Sequence, residues 1–383
     1  MKIAILGDFH LGYPRFYEDS FSQAALAFSK ACETGDVVVL VGDLFDTKTP
    51  KLEVIERAFR IFRVADKKKW AAKGESGGVP VVAIHGTHER RHKDCVNPIQ
   101  MLETAGLWRD IHNSKASFTL GDEKVVLQGL GGVPEEYAAV AVKAGGFSPE
   151  KGAFNVFVFH QSLREFIPGG GEVLSIDDLP PGFDLYACGH IHRNFSRSVG
   201  SGKLIIPGST LITQMRKEET GKKGFVLFDT KTRTHQFVEI DSRPFFYKEI
   251  EVKEASPSDI RKKVFEAVGE LSNGTEKKPI IKIKVNGTLG KGFKAANIGT
   301  LEQEFSEKAF LSVDISLGEQ AVSKSLELLR DIREKKLSVK GLGLGVLKKK
   351  LAEANCSVDN AESLFDRLAE GKSEDIAREI AEK

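Results

Sequence analysis

The 383-residue chain holds no apolar run approaching the ~18–20 residues that a membrane helix needs, so no membrane-spanning helix is expected. Cysteine is scarce. Four residues, Cys32, Cys95, Cys188 and Cys356, stand far apart with no Cys-x-x-Cys, which excludes a disulfide framework and a thiolate zinc site. Neither sign of charge dominates: 56 Lys+Arg against 54 Asp+Glu leave +2, so no blanket attraction to polyanions follows. A local basic stripe can still bind nucleic acid without moving that total. Glycine (37) and proline (13) fall short of a low-complexity composition. Only Ile3–Leu6 precede Gly7-Asp8, too short a run for a signal peptide, and a cytoplasmic protein with reduced thiols is expected. What is present is ordinary for a soluble globular protein: 41% hydrophobic and 29% charged residues. The length suits two or three domains at roughly 100–200 residues each.

Up to about residue 242, β-branched apolar runs alternate with helical patterns. Ile3–Leu6 is followed by Phe21, Ala24, Ala25, Phe28 and Ala31 at helical spacing, with Gly35 as the stop. Val37–Val41 precedes a helix started near Pro50, whose Val54, Ile55, Ala58, Phe59 and Phe62 make one stripe. Val79–Ile84, a helix at Pro98–Leu107, and runs at Val125–Leu127, Val156–Phe159, Leu185–Ala187 and Leu204–Ile206 come next; Phe225–Phe228 and Gln236–Ile240 read as a hairpin. The order predicts an α/β layered sandwich with mixed sheets. After Asp241-Ser242-Arg243-Pro244 the pattern becomes strand (246–252), helix (258–271), strand (280–285), helix (295–307), strand (311–315), a small α+β unit. From Gly318 only helical stripes remain, with a glycine-rich linker at Ser338–Gly345. Three domains are therefore expected: 1–242, 243–317 and a helical tail, 318–383.

Five of the apolar runs end directly in metal-ligand residue types. Ile3–Leu6 leads to Asp8 and His10, Val37–Val41 to Asp43, and Val79–Ile84 to Thr87-His88-Glu89. Val156–Phe159 leads to His160, and Leu185–Ala187 to His190 and His192. In open α/β sheets ligands gather outside the carboxyl ends of the strands, so these side chains are expected on one rim. Singly, a Gly-Asp pair is a turn and His160 a core histidine. Jointly, the imidazoles and carboxylates are hard to produce by packing alone.

In order, Asp8-Phe9-His10, Gly42-Asp43, Gly86-Thr87-His88-Glu89, His160 and Gly189-His190-Ile191-His192 resemble the motif series of the calcineurin-like metallophosphoesterases. Within that superfamily, Gly7-Asp8-Phe9-His10-Leu11-Gly12 and Gly42-Asp43-Leu44-Phe45-Asp46 are similar to the Mre-eleven/SbcD nucleases of DNA double-strand-break repair, whose domain plan the appended unit and tail also match. The resemblance implies that Asp8, His10, Asp43 and His192 hold one divalent ion. Asp43, His160, His190 and position 87 would hold a second, with Asp43 bridging. Imidazole and carboxylate ligands without thiolate suit two Mn2+, though iron, zinc or cobalt could take the same places. His88 would serve as general acid or electrostatic donor to the leaving oxygen. The family has Asn where Thr87 stands, so a weaker second site is expected; Asp46 is a position where some relatives carry His.

Arg90, Arg91, His92 and Lys93 follow His88 and are expected to touch a DNA backbone, as are Arg193 and, less directly, Arg15, Arg164 and Arg197. The family also implies a capping domain facing DNA, a tail docking on a Rad-fifty/SbcC-type ATPase, a homodimer, and a nucleoid-associated location. The implied activity is 3′-to-5′ exonuclease on duplex ends plus single-strand endonuclease. Two alternatives stay open on the residues: a phosphodiesterase for small substrates, and a scaffold whose metal site has weakened.

Overall fold

The computed structural model describes residues 1–67, 78–92, 95–167, 173–293 and 301–318, with residues 347, 363–365 and 367. The expected tail helices and their glycine linker lie outside these residues apart from those few positions, and Lys93 lies outside them too.

In chain order the strands are β1 (Lys2–Leu6), β2 (Val37–Leu40), β3 (Val81–Ala83), β4 (Arg109–Asp110), β5 (Ser114–Leu120) and β6 (Glu123–Leu130). Then come β7 (Phe154–His160), β8 (Leu185–Gly189), β9 (Phe195–Val199), β10 (Gly202–Ile206), β11 (Gly224–Asp229) and β12 (Thr234–Glu239). They build two six-stranded sheets, β12-β11-β1-β2-β3-β4 and β5-β6-β7-β8-β10-β9. β1 to β4 run parallel, and β11 and β12 extend that sheet antiparallel. β6, β7, β8 and β10 are parallel, with β5 and β9 antiparallel at the two edges. Both sheets are mixed, as expected.

Alternation along each strand decides the layers. Ile3, Ile5, Val37, Val39 and Val41 pack against Val125, Leu127, Val156, Val158, Leu185 and Ala187, so this core lies between the sheets. The intervening Ala4, Leu6, Val38 and Leu40 face the other way, onto the helices Tyr17–Thr34 and Leu52–Phe62. On the second sheet Phe157, Phe159, Tyr186 and Cys188 pack outward with Val142 of the helix Ala138–Ala144. The order is therefore helix, sheet, sheet, helix. Gly35 ends the first helix in extended conformation, its N–H donating to Ala31 O at 2.8 Å. Asn97 starts Pro98–Thr104 with a reciprocal capping box to Gln100.

Phe62 is the keystone of the first helical layer: its ring meets Phe28 at 5.0 Å, Trp108 at 5.1 Å and Phe9 at 6.0 Å. Burial of each such ring contributes about 1.5–3 kcal/mol. Because Phe9 lies between Asp8 and His10 and is wholly buried, this packing also anchors the loop that carries both.

Further along, β13 (Phe245–Ala255), the helix Pro257–Ser272, β14 (Ile280–Leu289) and β15 (Phe310–Gly318) follow, and the three strands form a sheet in chain order. The helix expected at 295–307 is not what its described part forms: residues from Leu301 on make a 3₁₀ turn at Gln303–Phe305. There Leu301 and Phe305 alone are buried among charged neighbours, too few apolar positions for a longer stripe. Two compact units result. One comprises Met1–Lys248, Val268–Lys282 and Glu302–Ser312; the other comprises Glu249–Ala267, Ile283–Leu301 and Val313–Lys383. All the expected metal ligands belong to the first.

Candidate metal centre

Beyond its strand end, the β1 loop zips onto the β2 loop: Asp8 N donates to Gly42 O (2.9 Å), His10 N to Asp43 O (3.1 Å) and Leu11 N to Leu44 O (2.8 Å). Asp8, His10, Asp43 and His190 all take positive φ, at 50°, 47°, 49° and 76°. For residues with a Cβ that conformation costs about 1–2 kcal/mol each, and it persists here because the preceding strands and the hydrogen bonds between the β1 and β2 loops fix the chain. Gly86 stands where nothing larger fits; a Cβ there would lie 2.1 Å from Asp43 Oδ1.

Two groups of ligand atoms form. Asp8, His10 and His192 make one, and Asp43, His160 and His190 the other, each within 4.8 Å internally. His10, Asp46 and His88 make a third group at the mouth. Asp43 connects the two loops further: its Oδ1 accepts from His88 N (2.8 Å), and its Oδ2 lies 3.1 Å from His160 Nε2 and accepts from Thr87 Oγ1 at 3.3 Å. The hydroxyl at position 87 thus reaches the same carboxylate oxygen as His160.

The imidazoles are oriented by their far nitrogens. His160 Nδ1 donates to Val41 O at 2.7 Å, His10 Nδ1 to Asp46 Oδ1 at 3.3 Å, and His192 Nδ1 lies 2.8 Å from Thr213 Oγ1 and 3.4 Å from Glu219 Oε1. That sets the Nε2 lone pairs inward. His10 Nε2 and His192 Nε2 come within 3.2 Å of each other, while Asp8 Oδ2 is buried without a hydrogen-bond partner. Lone pairs facing one another and orphaned acceptors are costly when buried. A divalent cation in each group would satisfy them, so the residues fit such ions.

The electrostatics follow from burial and proximity. Burial raises the Asp8 carboxyl; burial would also raise Asp43, but His160, His10 and His88 together hold that carboxyl well below the usual range. Burial alone would lower His160, yet Asp43 lifts it to about 9; His190, buried and facing His160, falls to about 3.

The calcineurin-like phosphoesterase profile matches residues 1–194, the stretch that carries every residue of both ligand groups. The chain belongs to the calcineurin-like phosphoesterase family. It is a metal-dependent phosphodiesterase of that family. Proteins named DNA double-strand break repair protein Mre11 are similar over most of its length. The one from Methanopyrus kandleri is 27% identical, covering 87% of this chain and 83% of its own. That from Sulfurisphaera tokodaii is 26% identical, covering 75% and 73%. The Caenorhabditis elegans protein named double-strand break repair protein mre-11 is 25% identical, covering 61% of this chain and 40% of its own. The resemblance expected from the motifs is thus found over far more than the phosphoesterase residues.

In this phosphoesterase His88 sits at the mouth of the centre, 44% exposed, its Nδ1 donating to Asp46 O at 2.9 Å, which leaves Nε2 free. Arg90 and Arg91 border a cavity of about 590 Å³ with Lys48, Thr49 and His92. Arg91 also holds its own loop, donating to Val96 O at 3.0 Å. Arg193 lies on a different cavity, together with His190 and His192. Arg164 reaches Val173 O at 3.5 Å, and Arg15 lies over its neighbour Phe16.

Sequence reasoning missed the residues that brace the ligands. Buried Glu89 accepts from Gly86 N and Phe45 N, both at 2.8 Å, stitching the β3 loop to the β2 loop; burial pushes it up to about 8. Buried Glu219 accepts from the amides of Thr213 (3.2 Å) and Gln214 (2.8 Å) beside His192. Glu89 carried a signal, its place right after His88 at a strand end. Glu219 carried none, lying in a polar loop 27 residues beyond His192.

Proposed function

We propose that this phosphoesterase is a manganese-dependent DNA nuclease, a 3′-to-5′ exonuclease on duplex ends and a single-strand endonuclease, which processes DNA ends in double-strand-break repair. The observation that carries this reading is the pair of three-residue ligand groups, Asp8, His10 and His192 and Asp43, His160 and His190, with His88 N donating to Asp43 Oδ1 beside them. The names of the Mre11 relatives supply the substrate class. Asp8, His10, Asp43 and His192 would hold one cation, and Asp43, His160, His190 and Thr87 the other. Two divalent ions bound there would supply Lewis-acid activation of the phosphoryl group and of the attacking water.

The protein's own contribution is placement and proton control. With two dications held there, Asp8 and Asp43 would leave a formal charge near +2, which suits a phosphodiester anion. Val41, Asp46, Thr213 and Glu219 fix the imidazoles, so the ligands do not reorganise as charge develops. His88, with Nδ1–H held by the Asp46 carbonyl, offers Nε2 to the leaving oxygen as donor. Arg90 and Arg91 take a flanking backbone phosphate in the cavity they border with Lys48, Thr49 and His92. In the same reading residues 243–317 cap the site on the DNA side. The tail at 318–383 docks on a Rad-fifty/SbcC-type ATPase, the enzyme is a homodimer, and it works at the nucleoid.

The test is cleavage of blunt and nicked duplexes with manganese and with magnesium, run beside His88→Ala and a calorimetric manganese titration. Wild type is expected to cut with manganese. His88→Ala is expected to bind manganese as wild type does and to lose about 10²–10⁴-fold in rate. Manganese binding without cleavage by wild type would leave the scaffold reading instead, and hydrolysis of bis-p-nitrophenyl phosphate that duplex DNA does not inhibit would leave the small-substrate one.

A further inference from the structure

Beside the metal centre lies a cavity of about 800 Å³ whose wall includes both His190 and His192. The rest of that wall has a different chemistry. Phe166 and Ile167, on the turn after β7, and Ile191, between the two histidines, give it apolar surface, and Arg193 and Arg216 give it cations. The Phe166 ring is held edge-on by Phe195, centroids 4.8 Å apart at 83°, and the Arg193 guanidinium carbon lies 5.7 Å from its centroid. The acids nearby are mostly engaged. Glu165 accepts from Ile176 N and Ser175 Oγ, each at 3.0 Å, and Glu219 is bound by the Thr213 and Gln214 amides.

A phosphodiester group needs cations and hydrogen-bond donors; it gains nothing from a fixed aromatic ring. From this juxtaposition of ring, guanidinium and metal-ligand histidines we infer that the cavity is a nucleobase subsite. The base of the nucleotide next to the scissile phosphate stacks on Phe166, and Arg193 and Arg216 receive the backbone phosphate beyond it. Base stacking on an aromatic ring is sequence-tolerant because every base has a π-face. Besides the ring, the wall carries the polar side chains Gln214 and Glu218, while Ser162 Oγ is engaged, donating to Glu135 at 2.5 Å. The stack on Phe166 therefore accepts an unstacked nucleotide whichever base it carries. This inference rests on the nuclease reading and deepens it by naming the unit that enters the centre.

The experiment uses the full chain and short single strands that either carry a base or carry an abasic tetrahydrofuran at the nucleotide next to the cleaved bond. Wild type is expected to favour the base-bearing strand in kcat/KM by about tenfold, the size of one base–aromatic stack. Phe166→Ala and Phe166→Leu are expected to bring that ratio near one, and Phe166→Trp to restore it. As a readout without metal, a strand with 2-aminopurine at that position is expected to lose fluorescence on binding wild type in EDTA, and not on binding Phe166→Leu. A base-to-abasic ratio near one in wild type, or one that survives Phe166→Leu, overturns the subsite while leaving the nuclease reading intact. Failure of wild type to cut either strand with manganese overturns both.

Discussion

Replacing Gly86 with alanine is the sharpest steric probe of the centre. The added methyl carbon would lie 2.1 Å from Asp43 Oδ1, 2.4 Å from Asp43 N and 2.6 Å from Asp43 Cγ, where real contacts do not fall below 3.0 Å. Gly86 has no positive φ, so backbone strain does not confuse the result. Asp43 must retreat by about 1 Å, and its backbone cannot follow freely because the β2 loop is tied to the β1 loop through His10 N and Asp43 O. A reacting group displaced by that distance loses roughly 100-fold in rate. Overpacking of this kind costs about 1–3 kcal/mol of stability, a Tm loss of roughly 2–12 °C for a unit of this size. Gly221→Ala is the control, since a Cβ there meets nothing within 4 Å and φ is −65°. The assays are calorimetric manganese titration, bis-p-nitrophenyl phosphate hydrolysis and thermal unfolding. If Gly86→Ala matches Gly221→Ala within threefold in activity and in manganese affinity, Asp43 is not where the chemistry is organised.

Other residues give independent expectations. Glu219→Ala removes the carboxylate beside His192 Nδ1 and should weaken manganese binding by about 10–100-fold by calorimetry, while Glu219→Gln, which keeps an acceptor, should recover most of it. Arg243 grips Asp19 through two nitrogens, one at 2.8 Å, and donates to Lys278 O at 2.6 Å; Arg243→Ala should cost about 2–3 kcal/mol in denaturant unfolding, and Arg243→Lys should recover only part because the fork is lost. Burial pushes Asp110 up to about 6, so between its ordinary 3.8 and that value the folded state holds a proton the unfolded chain has lost, and stability falls as pH rises through the window. Asp110→Asn, whose Oδ1 can still accept from His112 N, should therefore stabilise at pH 8 by on the order of 1 kcal/mol and have little effect near pH 4. An equal effect at both pH values would show that ionisation is not the cause.

The strands that deliver ligands were legible because each is buried on both faces and stops abruptly at a polar residue: Val37–Leu40 and Phe154–His160 have almost no exposed position. The edge strands were not. Ser114–Leu120 and Phe195–Val199 are mostly exposed or half-buried and carry mostly polar residues, so no apolar run marks them. Among the candidate site residues, spacing and residue type picked out the imidazoles and carboxylates that the fold brings into two groups. What spacing could not show is the left-handed backbone at Asp8, His10, Asp43 and His190, because side chains of this size seldom adopt it and nothing local signals it. Nor could it separate His85 from His88. His85, also at the end of β3, is buried against His112 with ring centroids 4.5 Å apart, three residues from the one at the mouth.

Anomalous diffraction at the manganese edge from metal-soaked crystals tests the paired centre most directly. Two peaks about 3.5–4 Å apart are expected, one touching Asp8, His10 and His192, the other His160 and His190, with Asp43 between them. A single peak, or none among these side chains, would contradict a two-cation phosphodiesterase.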